Sequence, residues 1–539
     1  MNKLALANPA DRIFGRMLAR QAEQAGDTEF LVTDDQRISF AEAESLTNAL
    51  AGGLRHLGIA KGDRVALYIG NRPEMVLLAL AVNKLGAVWT PINTDYKGEW
   101  LLETLNRGRC KLLVTDAELQ SRVADIQHSL DIERLALIAD HGCSQLGPGV
   151  SYYADLLDST PLLPDYSDMS YGDTCAILWT SGTTGKSKGV MQSYNNWIRA
   201  IVEGASRQYD SQAGDVIYCV LPLFNSAAWI TSIFRALIEG IPCVIESRFS
   251  VSAFWDRIKH FGATQTFAIG AMGVFLLNSP EREDDADTPL AKAQIVPMPP
   301  QQWGNFERRF GLKLLRGGLG MSECLQILSQ TEDRDDVPVY ALGFAPADVD
   351  ICLFDDNGEP VADGESGEIG IKPLAPHVLF NGYFDDPATT AASYRGDWFM
   401  TGDIGRRDPA TGAYFYVDRK KDAVRFAGRN ISTLEVESVV RQHPDVQDVA
   451  ALGIPSREIQ SEDELMICVV LKPGANTCHE DLCAFINDNG PYYFVPRYMN
   501  FVDSLPYTAT NKVQKYVLRD AGISDQTWDL KQSDYQVRR

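Results

Sequence analysis

The residues with the plainest capacity for chemistry lie in Thr180-Ser-Gly-Thr-Thr-Gly-Lys-Ser-Lys-Gly189. Glycines let a backbone turn so that several N–H groups point inward and form a nest for an anion. The hydroxyls of Ser181, Thr183 and Thr184 add donors, and Lys186 and Lys188 add positive charge. Such a loop suits a polyphosphate, although an ordinary polar turn has the same composition. Its end, Gly185-Lys186-Ser187, mimics the close of the G-x-x-x-x-G-K-[ST] loop of P-loop NTPases. That motif needs glycine at position 180, where this chain has threonine, so a P-loop NTPase is disfavoured.

Further along stand Gly320-Met-Ser-Glu323, Thr401-Gly-Asp403, Tyr416-Val-Asp-Arg419-Lys-Lys-Asp422 and Pro506-Tyr-Thr508-Ala-Thr-Asn-Lys512-Val. In isolation Glu323, Asp403, Arg419 and Lys512 each read as solvated charges. In this order, and behind a TSGTTGKSKGV loop, they resemble the motifs of the adenylate-forming superfamily: acyl-CoA synthetases, luciferases and peptide-synthetase adenylation domains. The resemblance covers essentially the whole chain.

It implies activation of a carboxylic acid by ATP. A free carboxylate is a poor acyl donor because its leaving group would be oxide. Attack by the carboxylate on the α-phosphate gives an acyl-AMP and pyrophosphate, and catalysis is then mainly positioning plus cations and donors aimed at the phosphates. The resemblance assigns Thr180, Ser181, Gly182, Thr183, Thr184, Gly185 and Lys188 to the β/γ phosphates. Leu319, Gly320, Met321 and Tyr416 would face the nucleotide, with Ser322 at the α-phosphate. Glu323, with Thr184, would hold Mg2+, a hard cation that suits a carboxylate and keeps several waters. Asp403 would accept from the two ribose hydroxyls with Arg419 in support. Lys512 would neutralise charge between the carboxylate and the α-phosphate. Lys421 takes the position of the family's hinge, about which the C-terminal domain rotates between adenylation and thioester formation. Gly428, in Phe426-Ala-Gly-Arg-Asn430, matches the loop that meets the thiol of coenzyme A.

Several positions depart from the family's pattern. Leu319 stands where an aromatic usually stacks on adenine, Pro297-Met-Pro-Pro300 replaces a Gly-Ala-Pro-like segment, and Asn225 replaces histidine in the P-L-F-H motif. Asn511 precedes the lysine in place of glycine, and asparagine tolerates a left-handed backbone better than most residues. No charged group is lost, so the reaction type stands while the acid stays open. Val513-Gln-Lys-Tyr516 and Asn93-Thr-Asp-Tyr-Lys-Gly98 are similar to the crotonobetaine/carnitine–CoA ligase branch of acyl-CoA synthetases, which favours transfer to coenzyme A of a fatty, aromatic, steroidal or betaine-type acid. Asn225 and Trp229 are expected to border the acyl pocket. No carrier-protein segment is read after the C-terminal motifs, which favours a free-standing enzyme. The competing readings are an adenylase that passes its acyl group to a carrier protein or to oxygen chemistry, and a non-catalytic nucleotide-binding relative. Retention of Glu323, Asp403 and Lys512 speaks against the second.

These residues need a framework. Asp63–Tyr68 is strand-like, Asn71-Arg-Pro-Glu74 begins a helix with proline in its first turn, Gly86 ends it, and Ala87–Pro91 is a second strand. That is a βαβ unit, which implies a largely parallel sheet covered by helices, and Asp215–Glu246 repeats it. Strand-like runs broken by Gly/Asp turns after about residue 340 imply antiparallel sheet, and short strands and helices mix beyond 422. The expected fold is α/β: a large N-terminal domain, 1–420, for ATP and acid, and a small mobile α+β C-terminal domain, 421–539.

At 539 residues the chain exceeds what one core usually holds. Fifty basic against 72 acidic residues leave a formal charge of −22, which argues against nucleic acid or an anionic membrane surface as partner. Ten cysteines without C-x-x-C spacing and seven histidines without H-x-x-x-H argue against a zinc site or a disulfide framework. No window reaches the apolar length of a membrane span and the N-terminus has no sustained apolar run, so a cytoplasmic location is expected. The implied partners are a small carboxylic acid and coenzyme A, with a homodimer left open.

Lys512→Ala is expected to lose most adenylation while still binding ATP. Near-normal pyrophosphate exchange by that variant would remove Lys512 from the chemistry.

Overall fold

The computed structural model describes all residues except 1, 148, 181–186, 299, 333, 356, 420–423, 427–428, 432, 460–461, 507–512 and 514. Two seven-stranded, mainly parallel sheets form the bulk of the N-terminal part. The first runs, in spatial order, Ser151–Tyr152, Arg134–Ile138, Leu112–Asp116, Arg64–Tyr68, Val88–Pro91, Thr174–Thr180 and Lys188–Ser193. The second runs Lys313–Leu315, Lys292–Val296, Gln265–Ile269, Ile217–Cys219, Cys243–Ile245, Glu29–Val32 and Arg37–Ser39.

Both expected βαβ units are present. Arg64–Tyr68 and Val88–Pro91 are parallel neighbours joined by the helix Pro73–Lys84, which starts on its proline and is followed by Gly86 at φ +65°. All twelve helix residues are buried, because the helix lies within the main core rather than on its surface. Burial includes the Lys84 ammonium, whose pKa is lowered by desolvation and which is held by Glu44 Oε2 at 2.6 Å and Asn48 Oδ1 at 2.7 Å. The second unit pairs Ile217–Cys219 with Cys243–Ile245. Its connecting helix is not one α-helix: Ser226–Ala228 passes into a π-helical turn, Trp229–Ile233, before Phe234–Glu239 resumes. Such turns are rare in helices and recur at functional sites. Asn71 joins the two sheets, since its Nδ2 donates to Leu221 O at 2.8 Å and its Oδ1 accepts from Leu223 N at 2.8 Å.

An antiparallel sheet follows, as the Gly/Asp turns imply: Val349–Phe354, Ser366–Pro373 and Trp398–Arg407, with Tyr394–Arg395 and Tyr414–Arg419 also pairing to Trp398–Arg407. The C-terminal part is α+β. Val446–Pro455, Asp463–Leu471, Tyr498–Phe501 and Trp528–Asp529 form a sheet, packed with the helices Thr433–Arg441, His479–Asn489 and Lys515–Ala521. No helix among the described residues is long and apolar enough to cross a membrane.

Candidate active site

The loop after Trp179 is the link of a β-hairpin. Thr174–Thr180 sits inside the first sheet, and Lys188–Ser193 returns antiparallel beside it with Trp179 opposite Gly189 and Thr180 opposite Lys188. A P-loop runs from a strand into a helix, so this geometry independently separates the two. Arg107 braces the hairpin foot: its guanidinium stacks 5.4 Å over the Trp179 ring and donates to Ser187 O at 2.7 Å. Thr180 Oγ1 faces Lys188 O at 3.5 Å.

A second hairpin carries the acidic residue. Gly318–Met321 pairs with Cys324–Ser329, and Ser322–Glu323 form the turn. A Cβ at Gly318 would lie 2.6 Å from Leu328 O and one at Gly320 would lie 2.4 Å from Leu325 O, so the two backbones approach too closely for side chains there. Leu319 and Met321 are half-buried against the main core. Glu323 is only 7 % exposed, and its Oε1 accepts from the Tyr383 hydroxyl at 2.7 Å. It is no solvated turn acid. Burial, followed by the neighbouring Glu323 charge, raises the Tyr383 pKa and keeps that hydroxyl a donor.

The segment around Tyr383 joins the hairpins. Phe380 N donates to Glu323 O at 2.7 Å, Asn381 N to Met191 O at 2.8 Å and Phe384 N to Gly189 O at 2.7 Å. Gln192 Nε2 donates to Ser322 O across the same seam. On the other side of the Tyr383 ring lies Lys188 Nζ, 4.6 Å from the centroid. One tyrosine therefore touches both the lysine of the phosphate loop and the acid of the second hairpin. Sequence reasoning missed Tyr383; nothing local in Asn381-Gly-Tyr-Phe384 signals a partner sixty residues upstream.

Asp403 lies in Trp398–Arg407 with Arg419 opposite it in register, and Gly405 lies opposite Tyr416. The carboxylate is 3 % exposed. Its backbone N–H donates to Thr401 Oγ1 at 3.1 Å, and Gly402, at φ +75°, donates to Glu368 Oε1 at 3.1 Å. Tyr416 leaves 41 % of its surface exposed.

Two expected neighbours of the acid separate. Asn225 is exposed and its Oδ1 accepts from Ala227 N at 3.3 Å, capping the short helix. Trp229 is fully buried, its Nε1 donates to Leu223 O at 2.7 Å, and its ring packs 4.4 Å from Trp89 and 5.0 Å from Phe234. Its large apolar surface is committed to the core. Ser181, Gly182, Thr183, Thr184, Gly185, Lys421, Gly428 and Lys512 lie outside the described residues.

Among the described residues no group of three or more His, Cys, Asp or Glu side chains gathers to hold a metal ion. A single buried carboxylate is nevertheless the donor set that Mg2+ takes when substrate phosphates and water complete its shell. Glu323 fits that role, where the ion would neutralise phosphate charge.

The arrangement defines a class: a two-part α/β chain in which a hairpin of the first sheet and the Ser322–Glu323 turn meet at Tyr383. The same fold is seen in o-succinylbenzoate CoA synthetase from Bacillus subtilis, with a TM-score of 0.79, 24% identity and coverage of 94% of this chain and 98% of that one. The model of the AMP-binding enzyme family matches residues 18–384, and that of the AMP-binding enzyme C-terminal domain matches residues 435–512. The chain belongs to the AMP-binding enzyme family. Among its relatives, the crotonobetaine/carnitine–CoA ligase of Salmonella agona is 29% identical over 493 residues, covering 90% of this chain and 93% of that protein. The ligase of the same name from Escherichia coli O157:H7 is 29% identical over 504 residues, covering 93% and 95%.

Tyr383→Phe removes the donor to Glu323 and keeps the ring beneath Lys188. A hydrogen bond to a charged group contributes about 1.5–3 kcal/mol, so the acid-dependent pyrophosphate-release rate is expected to fall about tenfold or more and the Mg2+ requirement to rise. Unchanged rate and Mg2+ dependence would show that the contact is incidental.

Proposed function

We propose that the chain is an AMP-forming carboxylic acid–CoA ligase. In the first half-reaction a carboxylate oxygen bonds to the α-phosphorus of ATP and the bond to the bridging oxygen breaks, giving acyl-AMP and pyrophosphate. In the second, the thiol sulfur of coenzyme A bonds to the acyl carbon, AMP leaves with its electron pair, and the thiol proton is released. The observation that carries this reading is the joining of the phosphate-loop hairpin to the Ser322–Glu323 turn through Tyr383.

Thr180–Lys188 holds the β/γ phosphates, with Lys188 fixed in direction by the Tyr383 ring. Ser322 donates to the α-phosphate and Glu323 holds Mg2+, aligned by the Tyr383 hydroxyl. Asp403, buried and in register with Arg419 on the neighbouring strand, accepts from the ribose hydroxyls with Arg419. Lys512 neutralises charge between the two anions. Residues 1–420 form the ATP and acid domain, and 421–539 form a domain that turns about Lys421, withdrawing Lys512 and bringing Gly428 to the thiol. The names of the curated relatives support coenzyme A as acceptor and, among the fatty, aromatic, steroidal and betaine-type acids the sequence leaves open, the betaine type.

A pyrophosphate-release screen over carboxylic acids, with and without coenzyme A, tests the reading. The expected result is slow release with a few acids alone and sustained turnover, with AMP and an acyl thioester, once coenzyme A is added. Turnover unaffected by coenzyme A would replace the ligase with a free-standing adenylase.

A further inference from the structure

The hairpin that carries Ser322 and Glu323 is a two-stranded sheet of its own, Gly318–Met321 paired with Cys324–Ser329. A ribbon of two strands is marginal by itself, so its place relative to the first sheet needs support from its surroundings. Part of that support is a row of buried polar side chains just beyond Lys188. The strand Lys188–Ser193 runs into the helix Tyr194–Ala200, where Ser193 Oγ accepts from Asn196 N at 3.1 Å. Gln192 and Asn196 are fully buried, and Arg199, one turn further on, is nearly so.

The direction of each bond in this row follows from its partners. Leu325 N is a donor and reaches Asn196 Oδ1 at 3.4 Å, so the Asn196 amide turns its Nδ2 to Gln192 Oε1, at 2.7 Å. Gln192 then presents its Nε2, which donates to Ser322 O. A carboxamide accepts at one atom and donates at another without carrying charge. Two in series therefore close a ring through residues 322–325. Arg199 extends the grip: its Nη1 donates to Gln326 O at 2.8 Å, while Nε and Nη2 each reach Asp348 at 2.6 Å.

We propose that Gln192 and Asn196 are positioning residues for adenylation: by holding Ser322 O and Leu325 N they fix the backbone around Glu323 and so aim its carboxylate. The chemical role rests on the ligase reading above; the tie between the hairpins does not.

The argument is one of peptide geometry. Two planar peptides meet at the Glu323 Cα and leave it two soft dihedrals. The peptide before it is held by Gln192 at Ser322 O, and the peptide after it by Phe380 N, which donates to Glu323 O at 2.7 Å. With both planes held, the Cα–Cβ direction is set. The Tyr383 hydroxyl then holds the far end of the side chain at Oε1. Lys188 stands on the strand that carries Gln192, so cation and acid share one frame. Release of Ser322 O frees one of the two planes, and the carboxylate shifts relative to Lys188. A misplacement of about 1 Å costs about a hundredfold in rate. Affinity for the carboxylic acid, which the reading does not place at Glu323, is left as it was.

Gln192→Met keeps the length of the side chain and removes both its donor and its acceptor. Asn196→Asp keeps the acceptor for Leu325 N and removes the donor to Gln192. In both, kcat for acid-dependent pyrophosphate release is expected to fall about tenfold or more, with KM for the acid near the wild-type value. Hydrogen–deuterium exchange reads the tie without any turnover: uptake by 318–329 is expected to rise in Gln192→Met while uptake by 64–91 stays at the wild-type level. Wild-type kcat in both variants would overturn the proposal. So would uptake raised equally in both segments with kcat lowered only by the loss of folded protein, since that marks a structural role. Uptake raised in 318–329 alone, in a chain whose wild type releases no pyrophosphate with any acid, would refute the ligase reading and leave the tie standing.

Discussion

The structure depends on one seam, where Phe380–Phe384 is laid between the return strand of the first hairpin and the turn of the second. Its backbone hydrogen bonds fix the separation of Gly189 and Glu323, and its tyrosine fixes the direction of a cation and an anion at once. Both contacts are made where water is largely excluded, so each is stronger than it would be on the surface. The hairpins belong to separate sheets, and the seam adds to the direct bonds between them, Gln192 Nε2 to Ser322 O and Leu325 N to Asn196 Oδ1. Positioning is most of what phosphoryl and adenylyl transfer ask of a protein, so this seam precedes every other feature of the site in importance.

The same separation of global from local charge explains how an acidic chain handles an anionic nucleotide. The formal charge is −22 over the whole sequence. Much of that acid lies on the surface or is spent in ion pairs: Asp348 with Arg199, Asp285 with Arg309 and Asp529 with Arg497. At the hairpin foot, the Arg107 guanidinium lies over the Trp179 ring and Lys188 Nζ over the Tyr383 ring. An aromatic face orients a cation without neutralising it.

Much of the framework was legible in the sequence because its signals are local. Pro73 and Gly86 bound a helix whose every residue is buried, and the Gly/Asp punctuation after residue 340 marks turns that an antiparallel sheet requires. The reading of Thr180–Gly189 as distinct from a P-loop rested on one missing glycine and agrees with the hairpin geometry. What was not legible is what arises from tertiary contact. The packing of Trp229 against Trp89 and Phe234 joins residues far apart in the chain. Asp403 in isolation reads as a surface charge, and only the family resemblance assigns it to the ribose; its burial appears in the structure alone. Tyr383 meets partners far away in the chain, and no periodicity or motif spacing encodes such distances.

In the proposed reaction the acid's own oxygen attacks the α-phosphate. Turnover of a carboxylic acid labelled with 18O in both carboxylate oxygens tests it directly, by mass analysis of the phosphate products. The expected result is one 18O atom in AMP and none in pyrophosphate. Label appearing in inorganic phosphate, with ADP as the nucleotide product, would contradict it.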